Sequence, residues 1–457
     1  MSDTIVAIAT GMGNSGIGII RISGSKSFEI ADRIFCPKNK SKNAKNMDSY
    51  TASFGTIEYE GEMYDEAIML VMKAPHTYTT EDVIEFDCHG GIRVLKRILE
   101  LVIRLGARPA EPGEFTKRAF LGGRIDMSQA ESVMDLIHSK NDMAVKSSVK
   151  QLQGGLNTLI KELREKLLYE IAYIESALDD PENYSLEGFS DNLRNTVDNM
   201  LITVENLLKS SDNGRIIKEG IRTAIIGRPN AGKSSVLNLL LGEERAIVTD
   251  IEGTTRDTLE EYINLDGITL NVVDTAGIRD TEDIVERLGV DKALDIIEEA
   301  DLILYIVDGT TPLDENDLNI LDKIMDKKVI TIINKNDLDI VVDKLLITSH
   351  IDTKIVELSA KEGTGIESLH SVIKDMFFDS NVSYNDELYI TNTRHKFLLQ
   401  ETMDSLTRVM ESISLGMEED FLSIDLMAAY ASLGKIIGEE LEDDLVNKIF
   451  SEFCMGK

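Results

Sequence analysis

The residues at positions 227–234 have the types and spacing that phosphate binding requires. They read Gly-Arg-Pro-Asn-Ala-Gly-Lys-Ser and fit the pattern G-x-x-x-x-G-K-[ST]. The apolar run at 223–226 predicts a strand before this loop, and the run at 235–240 predicts a helix after it. In that order, backbone N–H groups and the positive end of the helix dipole face a phosphate chain. Because the pattern occurs by chance in roughly one chain of this length per hundred, further motifs must support it.

A second motif, Asp-Thr-Ala-Gly at 274–277, follows the apolar run at 269–273. A carboxylate at the end of a strand can hold Mg²⁺ through a water molecule. Gly277 leaves room for a backbone N–H group to approach a γ-phosphate. This motif therefore predicts the metal and γ-phosphate side of a nucleotide site.

Two more motifs predict a pocket for the base. Asn-Lys-Asn-Asp at 334–337 follows the apolar run at 329–333, and Ser-Ala-Lys at 359–361 closes a third predicted strand. The carboxylate of Asp337 can accept hydrogen bonds from N1–H and from the exocyclic amine of guanine, a pair of donors that adenine does not offer. The order and spacing of all four motifs predict a GTPase.

Length and composition bound the protein class. A chain of 457 residues is too long for one hydrophobic core, which predicts two to four domains. Apolar residues make up 42% and no low-complexity tract interrupts them, so a folded protein is expected. The three cysteines, Cys36, Cys88 and Cys454, are far apart, which argues against a disulfide framework or a zinc site. No apolar signal begins the chain and no run approaches a membrane span, which predicts a cytoplasmic location without a membrane partner.

The charge is strongly negative but uneven. A formal net charge of −33 argues against a general nucleic-acid binder. Between positions 91 and 124, however, the chain has eight basic and three acidic residues, a local net charge of +5. The eight are Arg93, Lys96, Arg97, Arg104, Arg108, Lys117, Arg118 and Arg124. Two interpretations remain open, a solvated amphipathic helix with its flanks or a docking surface for an anionic partner.

Residues 1–118 predict an α+β domain. Strand-like runs lie at 4–9, 17–22, 67–71 and 83–88, and helix-like runs lie at 25–35 and 92–105. The string at 11–16 matches G-x-G-x-x-G, but a dinucleotide motif should open a helix, and the residues after it read as a strand. A glycine-rich turn between strands is the better interpretation.

Helical periodicity begins near Asp126, with a capping-box pattern at Ser128 and Glu131. One long helical stretch continues towards position 179, and a second helix is predicted at 191–208. Further helices are predicted at about 392–414, 418–437 and 441–453, and the polar segments 210–214 and 379–385 read as linkers.

Helices before and after the nucleotide module cannot each bury their apolar faces alone. We therefore predict one discontinuous α-helical bundle, residues 119–212 and 380–457, with an inserted Ras-like α/β P-loop GTPase domain at 216–378. A nucleotide-driven movement could then pass to the bundle through the two linkers.

The hydrolytic step needs a water-orienting group that the second motif does not supply. Ile278 stands where Ras-type enzymes carry a glutamine, and an apolar side chain cannot orient water. Arg228 could offset transition-state charge, but at its position in the loop we expect it to point to solvent. Asn230 is the better candidate, because its amide oxygen could ligate a monovalent cation beside the phosphates.

The chain resembles the MnmE (TrmE) family of bacterial tRNA-modification GTPases over its whole length. The resemblance rests on the loop at 227–235, Thr-Asp-Ile-Glu-Gly-Thr-Thr-Arg-Asp at 249–257, the motif at 274–277 and the predicted insertion. It rests also on Cys-Met-Gly-Lys at 454–457. This string is short, but its position at the C-terminus distinguishes the family from other GTPases.

That resemblance implies a potassium-dependent GTPase that is activated when two G domains meet. It implies K⁺ ligands at Asn230, Thr249, Ile251 and Thr254, and Mg²⁺ ligands at Ser234 and Thr255. It also implies that Glu286 is the catalytic glutamate that orients water, although Glu286 read alone would be a solvated surface carboxylate. The GTP-binding residues that it implies are Asn230, Ala231, Gly232, Lys233, Ser234, Ser235, Thr249, Asp250, Ile251, Glu252, Gly253, Thr254, Thr255, Asp274, Thr275, Ala276, Gly277, Asn334, Lys335, Asp337, Ser359, Ala360 and Lys361.

The resemblance further implies that the N-terminal domain binds a reduced folate (5,10-methylene- or 5-formyl-tetrahydrofolate) and forms a homodimer. The matching folate positions are Arg21, Glu85, Arg124 and Lys457. Family members commonly carry lysine where this chain has Arg124, which keeps the charge and changes the donor geometry. Cys454 would be catalytic near that pocket, whereas the residues alone favour a small apolar side chain that packs the end of a helix.

The implied reaction installs a (carboxymethyl)aminomethyl-type group at C5 of the wobble uridine (U34) in tRNA, together with the flavoprotein MnmG (GidA). Two other classes fit the motifs less well. A ribosome-assembly or RNA-binding switch GTPase usually carries a basic domain, whereas residues 417–457 are acidic. A dynamin-like structural GTPase would need a basic amphipathic stretch or an anchor, which the sequence lacks.

Overall fold

The computed structural model describes residues 3–40, 42–243, 261–265, 267–273, 296–377, 389–439, 441, 443–451, 453, 454 and 456. Its contacts divide the chain into two compact units. Unit 1 comprises Met1–Met134, Gln151–Leu168 and Tyr430–Lys457, and unit 2 comprises Asp135–Lys150 and Tyr169–Ala429. The domain bounds that the sequence suggests remain a prediction.

A mostly antiparallel sheet forms the N-terminal part of unit 1. In the described residues its strands are β1 (Ile5–Ile8), β2 (Ser15–Ser23), β3 (Phe35–Pro37), β4 (Thr51–Tyr59), β5 (Glu62–Met72), β6 (Val83–Gly90) and β7 (Arg108–Pro109). They lie in the order β3-β4-β5-β6-β2-β1-β7, and among the strand pairs of the described residues β1–β7 alone is parallel. Helices α1 (Ser27–Ile34) and α2 (Ile92–Arg104) pack on the sheet, and α2 buries a stripe of Leu95, Ile98, Leu101 and Val102.

The sequence predicted four of these strands and missed β3, β4 and β7. Strand β4 carries threonine, serine and glycine between its apolar residues, so its own pattern is weak, and it forms through pairing with β5 along its whole length. The segment between β1 and β2 joins two antiparallel strands. This confirms a glycine-rich turn between strands, although Ser15 and Gly16 already belong to β2. A strand and not a helix follows the string, so it is not a dinucleotide motif.

The predicted long helix is three helices, α4 (Met127–Ile137), α5 (Asp142–Leu152) and α6 (Gly155–Asp179), which follow α3 (Glu114–Leu121). Gly154 ends α5 with a φ of 87°, a conformation that glycine adopts without strain. The predicted capping box at Ser128 is also wrong by two residues. Asp126 Oδ1 accepts from the backbone N of Gln129 and Gln129 Oε1 accepts from the backbone N of Asp126, each over 3.0 Å, which is the reciprocal pattern.

The predicted linker at 210–214 is helical. Helix α7 extends over Phe189–Glu219, and Gly220 with a φ of 85° turns the chain directly into the next strand. Ser210 Oγ accepts from the backbone N of Ile390 over 3.3 Å. The chain therefore enters the nucleotide module close to the point where it leaves it. The second predicted linker, 379–385, lies outside the described residues.

A parallel sheet with one antiparallel edge strand forms the nucleotide module in unit 2. Its described strands are β8 (Ile221–Ile226), β9 (Glu261–Leu265), β10 (Ile268–Val272), β11 (Leu302–Asp308), β12 (Val329–Asn334) and β13 (Thr353–Glu357), in the order β13-β12-β11-β8-β10-β9. Helices α8 (Lys233–Glu243), α9 (Glu315–Ile324), α10 (Lys344–His350) and α11 (Ile366–Phe377) accompany it. The strands at the centre are buried on both faces, as expected of the predicted Ras-like α/β fold.

After the module, the part of the chain that the structure describes forms the helices α12 (Thr393–Ser414), α13 (Glu419–Ile437) and α14 (Asp443–Ser451). In unit 2, α12 packs along α7. In unit 1, Arg164 of α6 forms an ion pair with Glu439 and lies 4.0 Å from the ring centroid of Tyr430. Helices from both sides of the module therefore pack together, which confirms a discontinuous α-helical bundle. None of the helices in the described part of the chain is long and apolar enough to cross a membrane.

Candidate functional site

The phosphate-binding loop lies at the carboxyl end of β8, between the neighbouring strands β10 and β11. Gly227 adopts a φ of 157°, and a Cβ atom there would overlap the carbonyl oxygen of Ile306. Helix α8 begins at Lys233, directly after the loop. The strand, loop and helix that the pattern predicts are therefore all present, and they place the helix N-terminus beside the loop.

Gly232 and Asn334 connect the phosphate loop to the base motif. Gly232 has a φ of 96°, and the side-chain nitrogen of Asn334 occupies the space that a Cβ atom at residue 232 would need. The buried Asn334 amide donates to the carbonyl oxygen of Ala231 and accepts from the backbone N of Ala360, each over 3.1 Å. One side chain thus holds three of the predicted motifs together at the same edge of the sheet.

The polar residues of the loop line its outer side. Lys233 Nζ donates to the carbonyl oxygens of Gly227 at 2.9 Å and Arg228 at 2.8 Å, so the ammonium group lies over the loop. Asn230 is exposed and adopts a φ of 60°. Ser234 and Ser235 are exposed in the first turn of α8. These positions fit a phosphate chain and a cation with oxygen ligands.

Arg228 does not point to solvent, contrary to the expectation from sequence. Its guanidinium pairs with Asp314 at 2.6 Å and with the buried Asp317 at 3.1 Å. Asp314 and Asp317 form the capping box of α9. The cap thus places two carboxylates against the guanidinium. Arg228 therefore fastens the loop to the start of α9.

The predicted guanine-recognition residues are aligned by neighbouring hydroxyl and charged groups. Ser359 Oγ donates to Asp337 Oδ1 over 2.6 Å. This hydrogen bond, and to a lesser extent the nearby charges of Lys361 and Lys335, hold the pKa of Asp337 below its usual range. Asp337 is therefore ionised at neutral pH, the state that accepts two hydrogen bonds.

Lys335 is fixed by a partner that the sequence analysis did not identify. Its Nζ lies 2.6 Å from Asp308 Oδ2, at the end of β11, and its φ is 65°. Burial raises the pKa of Asp308, but the bonds from Lys335 and Thr310 outweigh it and leave that pKa lowered. The position of Asp308 at a strand end was the signal that could have identified it.

Several predicted site residues lie outside the described residues. They are Thr249, Asp250, Ile251, Glu252, Gly253, Thr254, Thr255, Asp274, Thr275, Ala276, Gly277, Glu286 and Lys457. Ile278 lies outside them as well. The roles suggested for these residues, and for the K⁺ and Mg²⁺ ligands among them, remain predictions.

A second cluster in unit 1 brings together the predicted folate residues. Arg21 Nε pairs with Glu85 Oε1 over 2.6 Å, between the adjacent strands β2 and β6. Arg21 Nη1 also donates to the carbonyl oxygen of Gly456 over 3.3 Å, although the two residues are 435 positions apart. The C-terminal tail therefore reaches the Arg21–Glu85 pair.

Tyr78 is the member of this cluster that the sequence analysis missed. The Arg124 guanidinium lies 4.7 Å from the centre of its ring, and that of Arg21 lies 5.7 Å away. Its hydroxyl shares a hydrogen bond with Thr116 over 2.9 Å. A tyrosine among threonines has no spacing that marks it, so only the tertiary contacts identify it.

The backbone of Cys454 is fixed against unit 1. Its carbonyl oxygen accepts from the backbone N of Gly113 over 3.3 Å, and its side chain is half-buried. Gly456 has a φ of 87°, and a Cβ atom there would overlap the carbonyl oxygen of Ile8. The tail thus packs closely on the end of β1.

The basic stretch at 91–124 is partly neutralised within unit 1. Arg97 pairs with Glu62, and Arg108 pairs with Asp3 and Glu114. Arg118 pairs with Glu81 over 2.8 Å. These ion pairs favour the interpretation of a solvated helix with structural flanks over that of a docking surface for an anion.

Comparison with known proteins identifies the family. The family model "MnmE helical domain" matches residues 127–454, and "GTP-binding protein TrmE N-terminus" matches residues 4–124. The tRNA modification GTPase MnmE of Lachnoclostridium phytofermentans is 56% identical over 100% of both chains. That of Acetivibrio thermocellus is 48% identical over 100% of this chain and 99% of its own, and that of Streptococcus thermophilus is 44% identical over 100% and 98%.

Among solved structures, the G domain of the T. maritima FeoB iron transporter is 28% identical, covers 34% of this chain and 97% of its own, and has a TM-score of 0.26. That score is too low to bear on the fold. The full-length relatives and the two family models decide the assignment, and they agree with the order of the four nucleotide motifs. The chain therefore belongs to the MnmE family of tRNA modification GTPases.

Proposed function

We propose that this chain is a potassium-dependent, dimerisation-activated GTPase that modifies tRNA together with the flavoprotein MnmG (GidA). The modification is a (carboxymethyl)aminomethyl-type group at C5 of the wobble uridine, U34. The observation that carries the proposal is the contact between the C-terminal tail at Gly456 and the Arg21–Glu85 pair. It places a terminal cysteine motif in the same unit as the predicted folate residues, in a chain that also holds the GTP loops.

The nucleotide half of the mechanism uses residues that the sheet aligns at one edge. The backbone N–H groups of the loop, with Lys233, bind the phosphates of GTP, and Asp337 selects guanine. Ser234 and Thr255 would hold Mg²⁺, and Glu286 would orient the attacking water.

A potassium ion would offset the negative charge that develops between the β- and γ-phosphates. Asn230, Thr249, Ile251 and Thr254 would hold it. The exposed amide of Asn230 supports this role, because the left-handed backbone conformation places that residue at the outer turn of the loop. The requirement for four ligands from two segments would explain activation when paired G domains order them.

The folate half of the mechanism uses the cluster in unit 1. A reduced folate, 5,10-methylene- or 5-formyl-tetrahydrofolate, would supply the one-carbon unit. The Glu85 carboxylate can accept hydrogen bonds from N–H groups of a pterin ring, and Arg21, Arg124 and Lys457 can bind carboxylates. The ring of Tyr78, which already has a guanidinium near its face, offers a surface for stacking. Cys454 would act on the modification chemistry, and the N-terminal domains of two chains would form the homodimer.

The proposed domains are residues 1–118 for folate binding and dimerisation, 119–212 with 380–457 for the helical domain, and 216–378 for GTP. Contacts of α7 with α12 and of Arg164 with Glu439 support a helical domain made from both flanks.

Mass spectrometry of tRNA nucleosides tests the proposal. Cells that lack this protein should lose the C5-modified wobble uridine and recover it when the gene is restored. Unchanged nucleosides together with a defect in ribosomal subunits would instead support the switch-GTPase alternative. Unchanged nucleosides with GTP-dependent deformation of lipid vesicles would support the dynamin-like alternative.

A further inference from the structure

The turn between helices α4 and α5 contacts the nucleotide module through Asn141. This residue is 7% exposed, and its side chain makes three hydrogen bonds. Asn141 Oδ1 accepts from the backbone N of Ala144 over 2.8 Å, which caps α5. Asn141 Nδ2 donates to the carbonyl oxygen of Ile217 over 3.1 Å and to Thr269 Oγ1 over 2.8 Å. Both N–H groups of Nδ2 and the oxygen Oδ1 make hydrogen bonds, so the amide has one favourable orientation.

The two partners of Asn141 Nδ2 belong to segments that lead into the GTP site. Ile217 lies in the last turn of α7, directly before β8 and the phosphate loop. Thr269 lies on β10, five positions before Asp274 in the sequence. Strand β10 pairs antiparallel with β9. Strand β9 begins four positions after the segment 249–257, which contains Thr249, Thr254 and Thr255. The strand pair β9–β10 therefore joins, along the chain, the segment 249–257, which carries four of the predicted metal ligands, to the motif at 274–277.

The same turn also touches β9. Lys140 Nζ lies 3.2 Å from the centre of the Tyr262 ring, a cation–π contact. Next to it, Asp135 at the end of α4 pairs with Lys218 over 2.8 Å and accepts from Thr391 Oγ1 over 3.0 Å. The turn is therefore bonded to both strands of the pair and to the helix that enters the module.

A cavity of about 270 Å³ lies at this junction, and its lining includes His138, Ser139, Tyr262 and Asn271. Close-packed interiors resist small displacements, because each shift creates an overlap or a void. This cavity is partly open to solvent, so a contact of few hydrogen bonds beside it can shift with fewer overlaps than one inside a packed core. The junction thus combines specific bonds with the room to move.

We propose that Asn141 and Lys140 are positioning residues for GTP hydrolysis: they hold the strand pair β9–β10 and transmit its nucleotide-dependent displacement to helix α5. The proposed displacement passes from strands β9 and β10 of the sheet, through the turn at Lys140 and Asn141, to helix α5. It meets the chain-continuous path through α7 and β8 at Ile217, whose carbonyl oxygen also accepts from Asn141 Nδ2. The bond between Asn141 Nδ2 and Thr269 Oγ1 is its central element.

Two substitutions interrupt that bond from opposite sides. Thr269→Val removes the hydroxyl and keeps the shape of the side chain and the strand propensity. Asn141→Asp keeps the oxygen that caps α5 and removes both donated bonds. Thr331→Val is the matched control, because Thr331 is a buried threonine on β12 of the same sheet whose hydroxyl bonds to Thr353 over 3.0 Å.

The measurement is hydrogen–deuterium exchange of α5 on the full-length protein, with GDP and with GDP–aluminium fluoride. Kinetic constants for GTP and melting temperatures are measured on the same samples. In the unmodified protein, exchange in α5 should differ at least threefold between the two states. Thr269→Val and Asn141→Asp should abolish that difference and lower kcat at least threefold with KM unchanged, whereas Thr331→Val should behave as the unmodified protein.

Equal exchange of α5 in both nucleotide states of the unmodified protein would overturn the proposal. A state-dependent difference that survives in Thr269→Val would overturn it as well, even if kcat falls. If Asn141→Asp melts before the assay temperature, Thr269→Val alone decides, since its effect does not depend on the cap of α5.

Discussion

Ser359 donates a hydrogen bond of 2.6 Å to the carboxylate of Asp337, and thereby joins the loops that follow β13 and β12. The bond fixes the orientation of the carboxylate and favours its ionised form. Asn334, at the end of β12, bonds to the loop that follows β13 and to the phosphate loop that follows β8. The selectivity for guanine and the alignment of the phosphate loop therefore depend on one connected set of hydrogen bonds.

Replacement of Asp337 by asparagine should change the base preference. The loss of a charge-assisted pair of hydrogen bonds lowers affinity by about a hundredfold. Asp337→Asn should bind GTP about a hundredfold more weakly and should prefer xanthosine triphosphate. Competition binding with the two nucleotides measures this, and unchanged GTP affinity would count against the assignment.

Removal of the Ser359 hydroxyl should shift the pH dependence of GTP binding. The Ser359 bond lowers the pKa of Asp337, so the ionised form persists as the pH falls through the usual range of an aspartate, about 3.9. In Ser359→Ala that pKa rises, and the GTP affinity should start to fall at a higher pH than in the unmodified protein. Fluorescent GTP titrations from pH 7.5 down to about 3.5, which spans the usual pKa of an aspartate, check this, with the exposed Ser349→Ala as the control. Identical pH profiles for all three proteins would contradict the prediction.

Hydrolysis should depend on potassium through Asn230. Loss of one charge that stabilises a transition state typically costs about 10²–10³ in kcat. GTP turnover should be fast in K⁺, slow in Na⁺, and should increase with protein concentration if G domains must pair. Asn230→Ala should lose the difference between the salts and keep Mg²⁺-dependent nucleotide binding. The exposed Asn199→Ala is the matched control, and equal rates in both salts for the unmodified protein would refute the prediction.

Glu286 should be needed for hydrolysis and not for binding. A carboxylate that orients water, directly or through a second water molecule, contributes typically ~10²–10⁴-fold. Glu286→Ala should bind GTP and dimerise normally and should hydrolyse it slower by that factor in single-turnover assays. Glu282→Ala, in the same acidic stretch, should be unaffected. If Glu286→Ala keeps near-normal turnover, the residue is a solvated surface carboxylate.

Replacement of Cys454 by serine should separate the modification from the switch. The thiol lies on a tail that is held by backbone bonds to Gly113 and Arg21, and these bonds survive the substitution. Cys454→Ser should keep the fold and K⁺-stimulated hydrolysis and should lose the modified wobble uridine in a complemented deletion strain. Cys36→Ser, at an exposed cysteine, is the control. If Cys454→Ser keeps the normal amount of modified wobble uridine, Cys454 has a structural role. If it loses GTP hydrolysis, the tail acts on the GTPase cycle and not on the modification chemistry.

The ends of the helices were harder to predict from the sequence than the presence of helical segments. Periodicity predicted one long helix where α4, α5 and α6 lie, and it predicted α7 and α12 to α14. It did not predict the breaks before Asp142 and at Gly154, or the continuation of α7 through residues 210–214. Polar residues such as Ser210 and Asn141 usually end helices. Ser210 stays helical because its hydroxyl bonds within α7 and to Ile390. Asn141 lies outside the helices because its side chain caps the start of α5 and bonds to the neighbouring strand.

The sequence alone determined the nucleotide chemistry, because the phosphate and guanine motifs are short and each acts through local geometry. The role of a glycine at a positive φ, or of a carboxylate at a strand end, can be recognised from the few residues on either side of it. Tertiary structure decided the rest. Arg21 meets Gly456 across 435 positions and Asn141 meets Thr269 across 128. Contacts at such separations follow from how elements pack and leave no period in the sequence. For that reason Tyr78 and the turn at Asn141 became visible only in the folded chain.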